Sequence, residues 1–287
     1  MRPATLLGLA GLLVAVVLVG GCTRQVDDTR MAPTATPATV SVRAPVGRMV
    51  QAPEPVKDKF LLYNQLYRSG QIAAVRCSLP DAQLVNERAM IRYATAFVAC
   101  LDRAWEPVIT RAGFDFVRPS AVFAAPPGTR TACGEMEKDV YGMYCQDNRG
   151  IYFNWPEYVV EGSYDQKDAE NSVQWLIGHE YGHHVQWLTG IADQYGERYW
   201  AARGAARQAE ENRSEMQAHC FAAAVFGANR ETLRIRGERL AHYGHPGYDR
   251  HAADMVNFDR WMRQAFEARG PAGCNTWPAP AKQVSGV

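Results

Sequence analysis

Through most of residues 57–287, apolar side chains recur at steps of three and four, the period of an α-helix with one buried face. Residues 60–67 show it first, with Phe60, Leu61, Tyr63, Leu66 and Tyr67 predicting a short helix. A longer helix is predicted over 81–112, where Leu84, Ala89, Ile91, Ala94, Phe97, Val98, Leu101 and Trp105 form the stripe. Pro107 near its end predicts a kink or a break. Two short runs depart from this period. Residues 120–125, bounded by Pro119 and Pro126-Pro127, and residues 150–155 are short, apolar and strand-like. Helical spacing returns over 168–191, opened by Asp168 or Asn171 as cap. It continues over 195–227 with Gly204 as a possible break, over 231–243, and over 254–268 with Phe258, Trp261, Met262 and Phe266 inward. No internal repeat is present. The pattern predicts one α+β domain, helix-rich, with a small sheet, starting near Lys57.

The first 56 residues follow other rules. Arg2 followed by the apolar run 6–18 reads as an export signal over 1–21. Val19-Gly20-Gly21-Cys22 places small residues before a cysteine, as in the lipobox of bacterial lipoproteins. Cleavage before Cys22 would leave a lipidated N-terminal cysteine, whose fatty acyl chains anchor the chain to a membrane. A plain secretory signal and an uncleaved membrane helix are the alternatives; all three put the rest of the chain outside the cytoplasm. Residues 22–56 are rich in Ala, Pro, Thr and Val, with Pro33, Pro37, Pro45, Pro53 and Pro55 interrupting any regular element. They read as a flexible tether.

One predicted helix carries polar residues where apolar core belongs. The inward stripe of 168–191 runs Val173, Leu176, His179, Glu180, His183, Trp187. His179, Glu180 and His183 form H-E-x-x-H. Residues four apart share a helix face, so two imidazoles can reach one metal ion, and the Glu between them can take a proton from a water on that ion. Buried charge without a partner is costly, and a cation is a natural partner. Gly182 costs roughly 1 kcal/mol relative to Ala inside a helix, which points to close backbone approach there. Zinc wants a third protein ligand and an open fourth position. A downstream third His is absent, since Gln186 and Thr189 occupy the Gly and His positions of that scheme. Over 212–226, Glu215, Ala218, His219, Ala222 and Phe226 share one face that is otherwise small and apolar, which makes Glu215 the expected third ligand. Glu210 and Glu211 compete from a charged stretch with Arg207 and Arg213, and are expected to be solvated. His184 is expected to pack or hydrogen-bond behind the ligands.

With these two helices, the chain resembles the "putative neutral zinc metallopeptidase" family of bacteria. The resemblance rests on His-Glu-Tyr-Gly-His-His-Val-Gln at 179–186 and Glu-Met-Gln-Ala-His-Cys-Phe-Ala at 215–222. Weaker similarity covers Cys133-Gly134, Tyr144-Cys145, residues 150–153 and residues 274–277. It implies a zincin-like metallopeptidase, with His179, His183 and Glu215 as zinc ligands and Glu180 as catalytic base. It also implies an edge strand above the motif helix that pairs with an extended peptide, for which 150–154 or 120–125 are candidates. The family usually carries Asp where this chain has His219; in related zincins that Asp buttresses a ligand His. His219 is therefore expected behind the ligands or near the metal. A second oxyanion donor is expected beyond Glu215, among His242, Tyr243, His245, Tyr248 and His251.

Composition narrows the remaining classes. Without residues 1–21 the chain has 30 basic and 30 acidic side chains, with no basic cluster interleaved with aromatics, so nothing favours a nucleic-acid partner. Besides Cys22 there are six cysteines, Cys77, Cys100, Cys133, Cys145, Cys220 and Cys274, an even number that suits disulfides in an exported chain. Six cysteines allow 15 connectivities. The pairing expected here is Cys77–Cys100, Cys133–Cys145 and Cys220–Cys274. The reading is a lipid-anchored zinc metallopeptidase of the bacterial cell envelope acting on peptides or proteins. The alternative is a zinc-binding scaffold of weak or no activity, suggested by His219.

Overall fold

The helix that carries the His-Glu-Tyr-Gly-His-His run is buried on nearly every side from Ala169 to Gln186. The computed structural model describes residues 58–159, 165–236 and 252–285, leaving aside the side chains of 252–255. All belong to the unit Pro53–Val287. The signal, Cys22 and the tether lie outside the described residues.

The helices are α1 Lys59–Leu62, α2 Glu87–Arg111, α3 Gln166–Leu188, α4 Ile191–Ala201, α5 Gly204–Ala228 and α6 Ala252–Ala268. Each departs from the predicted bounds for a local reason. The short helix expected over 60–67 is split at Asn64, whose side chain accepts from the Leu66 N–H and donates to the Thr189 carbonyl. α2 starts later than residue 81 because the Gln166 side chain engages the backbone of Ala82 and Leu84, leaving Asn86 to cap the helix. Pro107 removes one N–H but does not end α2. Asp165, rather than Asp168 or Asn171, caps α3 by accepting from two backbone N–H groups. Gly190, at φ 70, turns the chain directly into α4. Residues 231–234 form turns instead of helix, ended by Arg234 at φ 55; residues 237–243 lie outside the described ones.

Three strands form a mixed sheet. β1 Val122–Ala124 runs parallel to β5 Gly150–Phe153, and β4 Gly142–Cys145 runs antiparallel to it, in the order β1-β5-β4. A separate hairpin pairs β2 Arg130–Thr131 with β3 Gly134–Glu135. The two expected strands exist, but β5 is central and β1 lies at the far edge. The edge strand that packs on α3 is β4, so both sequence candidates for that part are corrected.

α3 packs against α2, α4, α5 and β4. Behind it, Trp105 meets Phe221 edge-on with ring centres 5.5 Å apart, and Trp175 meets Phe226 at 4.8 Å. Fully burying one such side chain contributes roughly 1.5–3 kcal/mol. The seam between α3 and α5 is lined by small residues. A Cβ on Gly182 would lie 2.5 Å from the Ala218 carbonyl oxygen, and one on Gly178 would lie 3.1 Å from the Ala222 Cβ. Gly182 is therefore required for the close approach that its presence predicted. Three disulfides form, joining Cys77 to Cys100, Cys133 to Cys145 and Cys220 to Cys274, as expected. The helix-rich α+β class is as read. Among the described residues no helix is long and apolar enough to cross a membrane.

Candidate metal centre

The close seam places Glu215, on α5, against both imidazoles of α3. Glu215 Oε2 lies 3.2 Å from His179 Nε2 and 3.4 Å from His183 Nε2. The two Nε2 atoms are 3.2 Å apart. Three donor atoms thus form a nearly equilateral triangle. A tetrahedral zinc ion with bonds of about 2.0–2.1 Å requires ligand-to-ligand edges of about 3.3–3.4 Å. The donor set, two imidazoles and one carboxylate, suits that ion, and the geometry leaves a fourth corner facing a cleft of ≈ 310 Å³. His179, Glu180 and His183 also fall within one group whose ligand atoms lie within 4.8 Å of one another.

Charge in the metal-free chain follows this geometry. Burial alone would raise the Glu215 carboxyl, but the imidazoles beside it outweigh burial and hold it well below the usual carboxylate range. Burial lowers the His183 imidazole, and the carboxylates of Glu215 and Glu180 overcome that, raising it from 6.5 to about 9. Glu180 is displaced upward chiefly by burial, with the two imidazoles pulling against it. A carboxyl raised by burial beside a cation site is suited to proton transfer near neutral pH.

β4 roofs this group. The Tyr144 backbone N–H hydrogen-bonds the Glu180 carboxylate. Gly142 makes room for it, since a Cβ there would lie 2.7 Å from Glu180 Oε1. The Tyr144 side chain takes the other direction, its hydroxyl 2.9 Å from His184 Nδ1. His184 Nε2 lies 2.7 Å from the Val117 carbonyl, which can only accept, so the Nε2–H donates there and Nδ1 accepts from Tyr144. Burial keeps His184 neutral, with its pKa lowered to about 4. His184 therefore ties strand to helix and is turned away from the candidate metal centre.

His219 sits where the family usually has Asp, and its ring lies 3.9 Å from the His179 ring, tilted by 33°. It packs against His179 by ring contact. His179 Nδ1 is buried without a hydrogen-bond partner among the described residues. Glu210, expected in solvent, is instead buried, because Arg198 at 2.7 Å and Arg213 at 2.9 Å neutralise it. Glu211 is half-buried. Neither lines the cleft. The oxyanion candidates His242, Tyr243, His245, Tyr248 and His251 lie outside the described residues.

Two features were not anticipated. Tyr195, on α4, lines the cleft together with Ala192, Met143 and Gln146. Burial raises its phenol above the ordinary value and the Glu215 carboxylate adds to that, so the hydroxyl stays protonated. Gln186 lies three residues past His183, and its Oε1 is 2.9 Å from His183 Nδ1. The signal was present in the spacing, since three residues along a helix is one face.

Comparison with known proteins agrees with the site. The sequence profile described as "Putative neutral zinc metallopeptidase" matches residues 59–237. The chain is 26% identical over 216 residues to the uncharacterized protein YpfJ of Escherichia coli (strain K12), covering 67% of this chain and 73% of that one. It is 30% identical over 139 residues to the uncharacterized protein Rv2575 of Mycobacterium tuberculosis (strain ATCC 25618 / H37Rv), covering 45% of this chain and 44% of that one. No solved structure matches. The profile covers well over half of the chain and both helices that carry the candidate metal centre, and the protein belongs to the putative neutral zinc metallopeptidase family.

Proposed function

We propose that this protein is a zinc-dependent peptidase that hydrolyses peptide bonds, with His179, His183 and Glu215 holding the ion and Glu180 as general base. The observation that carries the reading is the triangle of donor atoms with edges of 3.2, 3.2 and 3.4 Å. Zinc, when bound there, supplies a Lewis acid that polarises a carbonyl and brings the pKa of its water toward about 7.

The chain's own groups do the rest. Glu180 takes the proton of the attacking water and passes it to the leaving amine; its burial favours receiving that proton. β4 holds an extended substrate. Tyr141 accepts from Asn154 across the β4–β5 pair, and hydrogen-bonding direction alternates along a strand. Gly142 and Tyr144 therefore turn their peptide groups to the open edge. The Tyr144 N–H is taken by Glu180, and the Gly142 N–H and both carbonyls face the open edge, where this reading places substrate backbone. Recognition through main chain reads peptide shape more than sequence. Tyr195, protonated and lining the same cleft, is the donor this reading assigns to the developing oxyanion.

The export signal and the Cys22 lipobox support a site of action in the bacterial cell envelope, lipid-anchored to the membrane and facing outside the cytoplasm. The alternative, an inactive zinc scaffold, gives no reason for a carboxylate to be buried between the imidazoles and the strand edge. The test is hydrolysis of unstructured peptides by the zinc-loaded protein and by Glu180→Gln. Hydrolysis lost in the variant with zinc retained supports a peptidase. Equal rates, or none in either, would remove the enzymatic claim.

A further inference from the structure

Two buried amide side chains in series join His183 to the C-terminal segment. Gln186 Nε2 donates to the Ser214 carbonyl at 2.9 Å and to Gln217 Oε1 at 3.1 Å. Ser214 Oγ donates to Gln186 Oε1 at 3.3 Å. Gln217 Nε2 donates to the Cys274 carbonyl and to the Tyr67 hydroxyl, both at 2.9 Å. The Trp277 indole N–H donates to Gln217 Oε1 at 3.3 Å. Gln186 is 2% exposed and Gln217 fully buried.

The amide orientations follow from groups with a single hydrogen-bonding role. A backbone carbonyl can only accept and an indole N–H can only donate. Cys274 therefore fixes the nitrogen of Gln217, and Trp277 fixes its oxygen. That oxygen and the Ser214 carbonyl then fix the nitrogen of Gln186, so Gln186 Oε1 must face His183. His183 Nδ1 can only donate to it, so in the neutral ring the lone pair is on Nε2. His179 has no such support, its Nδ1 lacking a partner among the described residues.

We propose that Gln186 and Gln217 are positioning residues that lock His183 with Nε2 toward the metal, and that the segment 274–277 sets zinc affinity through them. This rests on the zinc reading above. The segment is pinned to the ligand helix by Cys220–Cys274, five residues beyond Glu215, and by Thr276 Oγ1 donating to the Arg213 carbonyl at 2.7 Å. The C-terminal segment thus acts as a clamp on a ligand it never touches.

The test is titration of zinc into the metal-free full chain, for wild type, Gln186→Met, Gln217→Met and Gln186→Glu, with thermal unfolding of each metal-free form alongside. Loss of an outer partner typically lowers metal affinity about 10–100-fold. That range is expected for Gln186→Met, and a loss on the order of tenfold for Gln217→Met. Gln186→Glu separates this account from a simple acceptor for His183. A lone acceptor improves as a carboxylate, whereas here the new carboxylate would face the Ser214 carbonyl and Gln217 Oε1, so affinity is expected to fall. Gln186→Met binding zinc within about twofold of wild type, or Gln186→Glu binding more tightly, would overturn the proposal. A variant that does not fold is bypassed by NMR of the zinc-loaded wild type. A slowly exchanging Nδ1–H on His183 in contact with the Gln186 side chain is expected, and zinc on Nδ1 overturns the idea. A wild type that takes up no zinc defeats the underlying reading instead.

Discussion

The two walls of the cleft are built differently. On one side the α3–α5 seam is narrow, with Gly182 against Ala218 and the donor atoms of His179, His183 and Glu215, the proposed ligands, brought within 3.4 Å of one another. On the other side β4 presents an open strand edge, with Gly142 and Tyr144 over Glu180 and Tyr195 lining the space. In the proposed reading the seam holds the ion and the edge binds the substrate. Metal binding and catalysis should therefore be separable by mutation, because they depend on different contacts of the same helix. Within the seam a second contrast appears. His183 is oriented by a polar relay, whereas His179 is supported by the His219 ring.

The largest expected effect falls on the working wall. Glu180→Gln should lower kcat/KM by about 10²–10⁴ while zinc affinity stays unchanged. Loss of zinc in that variant would break the division between the walls. Tyr195→Phe should cost about 10²–10³ in kcat with zinc again retained, the size of one lost oxyanion donor. An unaltered kcat would remove Tyr195 from the mechanism. On the holding wall the order reverses. Gly182→Val forces a side chain where a Cβ already meets the Ala218 carbonyl at 2.5 Å. Overpacking of that kind costs about 1–3 kcal/mol, so denaturant unfolding of the metal-free form should show the loss and zinc affinity should fall with it.

Two smaller effects sharpen the contrast between the imidazoles. His219→Asp gives the buried His179 Nδ1 an acceptor and should tighten zinc binding about tenfold, measured by competition with a chelator. The other effect is on pH. In the metal-free chain His183 is raised from 6.5 to about 9, so its contribution to stability is complete below pH 6.5 and is lost as pH rises through about 9. Zinc displaces that proton, and the alkaline loss should vanish in the loaded protein. Unfolding midpoints on either side of that window, with and without chelator, measure it.

Much of the holding wall could be read from residue order alone. The i, i+4 histidines, the isolated carboxylate on a small apolar face and the costly Gly182 each point to the seam, and helix periodicity carries them. The working wall was hidden. β4 has only four residues, begins with Gly and shows no alternation, and its place at the edge follows from pairing with β5, which is a tertiary fact. The strand-like runs 120–125 and 150–155 stood out because they are apolar; β5 within the second is the fully buried central strand, whereas β1 within the first is an edge strand no more buried than β4. Tyr195 read as one aromatic among several on a helix. Gln186 shared the face of His183 at i+3, yet its role depends on Gln217 and Ser214, which reach it from another helix, and on Trp277, which holds Gln217. The burial of Glu210 was missed for a similar reason, since Arg198 and Arg213 reach it from two helices.

The most direct measurement is the anomalous X-ray signal of zinc in a crystal of the loaded protein. The account predicts one ion about 2.0–2.1 Å from His179 Nε2, His183 Nε2 and an oxygen of Glu215, with its fourth position toward the cleft. An ion that excludes Glu215, or no ion between the two helices, would contradict it.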